Sequence, residues 1–276
     1  MRDTLFGRRY TLTIGDTRVT DLRVTFKIKK TLTKEPNTAE ISVFNLSETT
    51  RRRLQGKGLP VILSAGYEGS EAVIFSGDSR FIDDTRSGPD WIKRVRCGDG
   101  ERAYQFNRFR ASYGPGTPIA TVIRDAAKAL AVNPGNLSEA LALPFKGNRT
   151  HFRTGYTANG DAIDVLETLL KSAGFSVSIQ GGALQVLQGN AAVPATAVLL
   201  SPETGLIGSP ELGSPEKKKQ APRMKARSLL QPLARCGGAF ELRSTNVKGQ
   251  FRAEVIEHSG DTAGQEWYTD LELKAV

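Results

Sequence analysis

The chain has only two cysteines, two histidines, two methionines and two tryptophans in 276 residues. Two thiols, Cys97 and Cys236, cannot staple a chain of this length. A disulfide scaffold is excluded and buried, reduced thiols are expected. Two histidines and two distant cysteines leave no zinc spacing. Long apolar runs are missing too, and none approaches the roughly 18 residues of a membrane-spanning helix. The opening segment, MRDTLFGRRYTLTIG, has charges but no apolar stretch, so it does not read as a secretory signal. GxxxxGK followed by Ser or Thr does not occur, nor does GxGxxG between a strand and a helix. The usual phosphate-cradling loops are therefore absent. No metal and no cofactor is expected.

What is present reads as globular: 39% hydrophobic and 24% charged residues, in a chain long enough for more than one compact unit. Tyr10, Leu12 and Ile14 alternate with Thr11 and Thr13, and Val24, Phe26 and Ile28 alternate with Thr25, Lys27 and Lys29. Period-two alternation with one polar face predicts antiparallel strands. AEISVFNL predicts a third strand, and PVILSAGY with EAVIFSGD a hairpin turning at Glu68-Gly69. WIKRVRCGDG and ERAYQFNRF read as a further pair. Ser47 caps a short helix ending in Arg51, Arg52 and Arg53. After Pro115-Gly116 the period becomes helical. Thr117 and Pro118 open IATVIRDAAKAL, and DAIDVLETLLKSAG follows, ended by Gly174. FSVSIQ and ALQVLQ flank Gly181-Gly182, a strong hairpin signal. Strand patterns then return, and residues 209–222, with their prolines and Lys217 to Lys219, are expected as an exposed loop. The expected fold is α+β and mainly β. Two small β-barrels, 1–110 and 191–276, flank a helix-containing α+β domain at 111–190.

Catalytic signals are thin. Asp161, Asp164 and Glu167 share a helix face, but acidic residues in first turns also complement the helix dipole. His258 lies beside Glu257, Ser259 and Asp261, yet neighbours along a strand point apart and make no triad. His151 falls in a basic polar stretch, and Gly77-Asp78-Ser79 is a chance triplet. The formal charge is +9, and it is uneven: residues 1–110 carry 21 Lys and Arg against 14 Asp and Glu, while the rest is near neutral. Arg108 and Arg110 with Phe106, Phe109 and Tyr113 give the one aromatic interleaving, and no nucleic-acid-reading module is visible. Surface solvation or an acidic protein partner accounts for the basic clusters better than nucleic acid does.

Several strings resemble the barrels of phage baseplate hub proteins of the T-even type, relatives of the base of the type VI secretion spike. They are Asn45-Leu46-Ser47, Thr50-Arg51, Ala65-Gly66-Tyr67 and Phe75 with Gly77. Leu229-Leu230-x-Pro232 and His258-x-Gly260-Asp261-Thr262 complete the set. The resemblance implies a non-enzymatic homotrimer whose six barrels form a ring. That ring would join a sixfold tail tube to a threefold central spike and leave a channel for passing DNA, without sequence-specific binding. Tail tube or tube-initiator protein, spike and other baseplate proteins are the implied partners. The implied place is the tail baseplate of the virion, after synthesis in the host bacterial cytoplasm. Lys27, Lys29, Arg51, Arg52 and Arg53 are the expected contacts to a neighbouring subunit or acidic partner. A tail-associated cell-wall hydrolase and a basic nucleic-acid-binding protein are the alternative readings.

Overall fold

The computed structural model describes residues 5–100, 107–193, 197–213 and 223–276. In chain order it forms β1 (Arg8–Ile14), β2 (Thr17–Val19), β3 (Val24–Thr31), β4 (Thr38–Phe44), α1 (Glu48–Arg53), β5 (Pro60–Tyr67), β6 (Ala72–Ser87) and β7 (Asp90–Gly98). Then come β8 (Arg108–Tyr113), α2 (Ile119–Ala129), α3 (Leu137–Leu141), β9 (Tyr156–Asp161), α4 (Ala162–Ser172), β10 (Phe175–Gln180) and β11 (Ala183–Gln188). The last strands are β12 (Val198–Leu200), β13 (Leu206–Leu212), β14 (Met224–Leu229), β15 (Ala239–Arg243), β16 (Lys248–Asp261) and β17 (Trp267–Ala275). The protein is mainly β with few helices, as expected. It divides into two compact units: 1–31, 37–98 and 192–276 form one, and 32–36 with 99–191 the other. The expected boundaries at 110/111 and 190/191 stand beside observed divisions at 98/99 and 191/192, and both outer β segments belong to one unit.

In that unit the described strands form a single 13-stranded sheet, ordered β13-β14-β17-β16-β3-β4-β7-β6-β5-β1-β2, with β15 on β16 and β12 parallel to β15. Two separately closed barrels are not formed by these ladders. β3 uses one edge for β4 and the other for β16, so the sheet runs on from the N-terminal into the C-terminal segment. Its ends are blunted: β2 has three residues, and β13 is irregular between Ile207 and Glu211, around Pro210. β13 occupies 209–212, where a loop was expected; residues 214–222 lie outside the described residues. β6 continues past Gly77 to Ser87, and β7 pairs with that extension and with β4. The segment expected to pair with β7 begins at 101–106, outside the described residues.

Alternation puts Leu12, Ile14, Val24, Phe26, Ile28, Ile41, Val43, Leu63 and Phe75 in one core, joined by Leu230 and Trp267 from the C-terminal segment. Phe26 on β3 and Trp267 on β17 meet edge to face, centroids 5.4 Å apart. Both rings cross over Gly260 of β16. A Cβ there would lie 2.3 Å from Phe26 and 2.9 Å from Trp267, so only glycine lets the aromatic pair close over the strand.

The second unit packs α2 and α4 on the β10–β11 hairpin and on the β8–β9 pair, around Ile123, Leu130, Ile163, Leu166, Leu170 and Ile179. Gly181 and Gly182 take φ of +60° and +76°, as a tight hairpin turn demands. The buried Asp99 carboxylate accepts from both their N–H groups, at 2.7 and 2.9 Å. Pro118, rather than Thr117, caps α2, and the Thr117 hydroxyl donates to Gly114 O instead.

Gly260→Ala is expected to lower stability by about 1–3 kcal/mol through overpacking against Phe26 and Trp267. Gly114→Ala, with open space around it, should stay within about 0.5 kcal/mol of the parent. Denaturant unfolding of both variants measures the difference.

Candidate functional site

Some of the motifs singled out in the sequence meet along the junction of the N- and C-terminal β segments, and the others fix contacts within the N-terminal segment. Asp261 takes a two-pronged bond from Arg23, at 3.2 and 2.7 Å, and this holds its carboxyl below the usual range. Thr262 exchanges bonds with Val24: its Oγ1 accepts from Val24 N–H at 2.9 Å, and its own N–H donates to Val24 O at 3.0 Å. Arg8 donates to Gly264 O at 2.6 Å and lies over the Trp267 ring. Gly66 of the Ala-Gly-Tyr string faces Pro232 so closely that a Cβ would sit 2.9 Å from its Cγ. Gly77 leaves room for Gly98 O, 2.5 Å from where a Cβ would be. Asn45 adopts φ +56°, and its side chain donates to Asp90 at 2.9 Å and accepts from Trp91 N–H at 3.1 Å. Ser47 caps α1 by accepting from Thr50 N–H at 3.2 Å. These strings mark how the sheet is held together.

The residues weighed for catalysis are committed elsewhere. His258 is fully buried, with Nδ1 2.9 Å from Thr269 Oγ1. Burial, aided by the charge of Lys30, pushes its imidazole down to about 3, so it stays neutral. Glu257 and Ser259 point to the opposite face of β16. Lys34 holds Asp164 at 2.8 Å and Glu167 at 3.4 Å, while Asp161 precedes α4. His151 is exposed and bonded to Thr150. Ser79 is buried, and its hydroxyl accepts from Leu59 N–H at 3.0 Å. Phe109 is in the core of the second unit and Tyr113 donates to Asp125 at 2.7 Å, so these two rings are engaged within the unit. Phe106 lies outside the described residues. Among the described residues no group of three potential metal ligands converges.

The polar face of the sheet instead carries a row of charges across six strands, alternating in sign except between β16 and β17. Arg96 on β7 faces Glu40 on β4 at 3.9 Å, and Glu40 lies opposite Lys27 on β3. Lys27 reaches Glu257 on β16 at 2.8 Å, a contact that raises the Lys27 pKa. Glu257 lies opposite Asp270 on β17, and that like-charged pairing is relieved by Lys27 on one side and Arg227 of β14 on the other, at 2.7 and 2.9 Å. Exposed pairs of this kind contribute only about 0–1 kcal/mol each. Their effect is to leave much of the basic surface neutralised. Two grooves, of about 640 and 650 Å³, adjoin Lys29 and Glu257 and are lined by members of this same network.

The five expected contact residues therefore fall in two places. Lys27 and Lys29 lie on β3, where Lys27 is ion-paired and Lys29 has no carboxylate within 4.0 Å among the described residues. Arg51, Arg52 and Arg53 lie on α1. Arg52 pairs with Glu48, and Arg53 bonds Thr17 at 2.8 Å with Asp16 at 3.8 Å. Arg51 donates to Leu46 O at 3.2 Å and covers the Trp91 ring at 4.0 Å. Trp91, half-exposed at the start of β7, was not singled out in the sequence; a lone tryptophan after a Ser-Gly-Pro-Asp turn was the available signal.

No family model matches the sequence, and no curated protein does. Solved structures do match in fold. A tail protein from Neisseria meningitidis MC58 is 10% identical, with 98% of this chain and 97% of that one covered at a TM-score of 0.66. The 43 kDa tail protein of prophage MuSo2 from Shewanella oneidensis is 8% identical, with the same coverage and TM-score 0.66. The Escherichia coli c3393 protein, a type VI secretion component described as similar to the T4 tail proteins gp27 and gp5, is 10% identical. It is covered over 76% of its length by 96% of this chain, at 0.65. The chain shares the fold of phage tail proteins over nearly its whole length.

Because the unfolded chain protonates His258 near 6.5 and the folded chain does so only near 3, stability is full above about pH 7 and falls as acid is added. Between pH 7 and 5 this one group should remove about 2 kcal/mol. Urea unfolding at several pH values should show that slope, and His258→Leu should lack it, whatever its stability at pH 7.

Proposed function

We propose that this chain is a structural, non-enzymatic hub of a phage-type tail or a related injection particle. The observation that carries the reading is the fold shared with tail proteins over almost the full length of both chains. In this reading three copies form a ring. The N- and C-terminal β segments of each act as its two barrel-like modules, and the central α+β segment is an insert. Six modules would match a sixfold tube on one side and a threefold spike on the other. The centre would be a channel through which DNA passes without being read. The working place is the virion tail baseplate, after synthesis in the host cytoplasm.

Two features support assembly through side chains rather than strand addition. The sheet ends, β2 and β13, are short and irregular, which disfavours edge-to-edge pairing. Lys29 and Arg51, among the five basic residues expected at an interface, have no carboxylate partner among the described residues. A hydrolase reading has no support from the candidate groups, since His258 is enclosed and Asp164 and Glu167 are engaged.

Light scattering on the purified chain should give three times the mass of one chain, and imaging should show a ring with a central hole. A protein that stays monomeric at every concentration, and is absent from assembled particles, overturns the reading.

A further inference from the structure

We infer that Trp91, with Arg51 and Arg86, forms a preorganised anchor for a carboxylate-rich segment of a partner protein. The inference refines the hub reading by naming one docking point, but the chemistry would hold for a single chain.

The anchor is built from three elements. Asn45, at the end of β4, holds the start of β7 from both sides. Its Oδ1 accepts from Trp91 N–H at 3.1 Å, and its own N–H donates to Trp91 O at 2.8 Å. Its Nδ2 fixes the neighbouring Asp90. The Trp91 backbone therefore has little freedom to move. Capping by Ser47 sets the start of α1, and Arg51 Nε donates back to Leu46 O, which lays the guanidinium on the indole at 4.0 Å. From the end of β6, Arg86 Nε donates to Gly88 O at 3.3 Å and its guanidinium lies 5.8 Å from the same ring.

Two cations thus converge on one partly exposed indole, and among the described residues neither has a carboxylate within 4.0 Å. That contrasts with their surroundings. Arg52, Arg53, Lys27, Lys93 and Arg96 each face an acidic side chain of this chain. Each guanidinium spends only its Nε–H on a backbone carbonyl, leaving the forked Nη donors for a carboxylate. Tryptophan and arginine held rigid before binding are the residue types that dominate protein interfaces.

The same geometry disfavours nucleic acid. Base stacking needs an open aromatic face, and Arg51 lies on this one. Glu48, Asp84 and Asp90 lie on the same elements, α1, β6 and β7, and would repel a run of phosphates, whereas a short peptide can place one or two carboxylates between them.

The test uses the intact protein and intrinsic fluorescence. Trp91 is 37% exposed and Trp267 only 1%, so a surface ligand changes the Trp91 signal. A ten-residue Gly-Ser peptide carrying two adjacent glutamates should give a saturable change. Arg51→Ala and Arg86→Ala should each weaken its binding about tenfold. Arg52→Ala, on the same helix but paired with Glu48, should leave it within about twofold. Circular dichroism confirms that each variant is folded. No saturable change up to millimolar peptide overturns the proposal, as does an equal loss in Arg52→Ala. Tighter binding of a ten-nucleotide single strand, with the same sensitivity to Arg51 and Arg86, overturns it in favour of nucleic acid. The oligomeric mass, read separately, decides the hub reading, so the two failures are distinct.

Discussion

The antiparallel ladder between β3 and β16 is the constraint on which the β unit depends. It runs from Thr25 opposite Asp261 to Thr31 opposite Val255, and joins strands more than two hundred residues apart. Without it the N-terminal ladder would end at β3, and residues 255–261 of β16 would lose their partner on one side. With it, Trp267 and Leu230 enter the N-terminal core and Phe26 gains its aromatic partner. Such a contact closes a very long loop, which is slow to form but adds only slightly to the entropic cost as the loop lengthens. The whole second unit can therefore be carried between the two segments.

That junction explains why particular short strings stood out in the sequence. Each supplies something that cannot be replaced by a generic apolar residue. Gly260 supplies the absence of a side chain under two rings, Gly66 the approach to Pro232, and Asp261 a rigid acceptor for Arg23. Asn45 supplies a left-handed backbone with an amide able to bond in two directions. They are marks of architecture, and their number reflects how much of the sheet is fixed by a few close contacts.

Local pattern was legible where the chain alternates and one face is dry. β1, β3, β4, β5 and the β10–β11 hairpin follow from apolar residues two apart and from paired glycines. β6 was cut short because Gly77-Asp78 looks like a terminator. Here the glycine is needed for the approach of Gly98, and the strand continues through it. β13 looked like a loop because Gly208 and Pro210 interrupt it, which is how an edge strand is blunted. The parallel β12–β15 pair and the β8–β9 pair depend on partners far along the chain, and no window of sequence contains both members. For the same reason the continuity of one sheet through β3 and β16 could not be read, and two closed barrels were the natural expectation.

Charge shows the sharper limit. Counting showed that the excess is N-terminal, and alternation showed that Lys27 and Lys29 share a face. Which cations are already neutralised is a property of the fold, because the carboxylates that answer Lys27 and Arg23 come from β16. Once those pairs are set aside, which basic groups remain is decided by geometry rather than by clustering in sequence. Arg51 to Arg53 read as one triplet, yet the helix turns them apart: one meets an acid on its own helix, one a threonine and an aspartate, and one an indole. A basic run is thus three separate environments. Of the three, only Arg51 keeps its forked donors without a carboxylate or hydroxyl acceptor among the described residues.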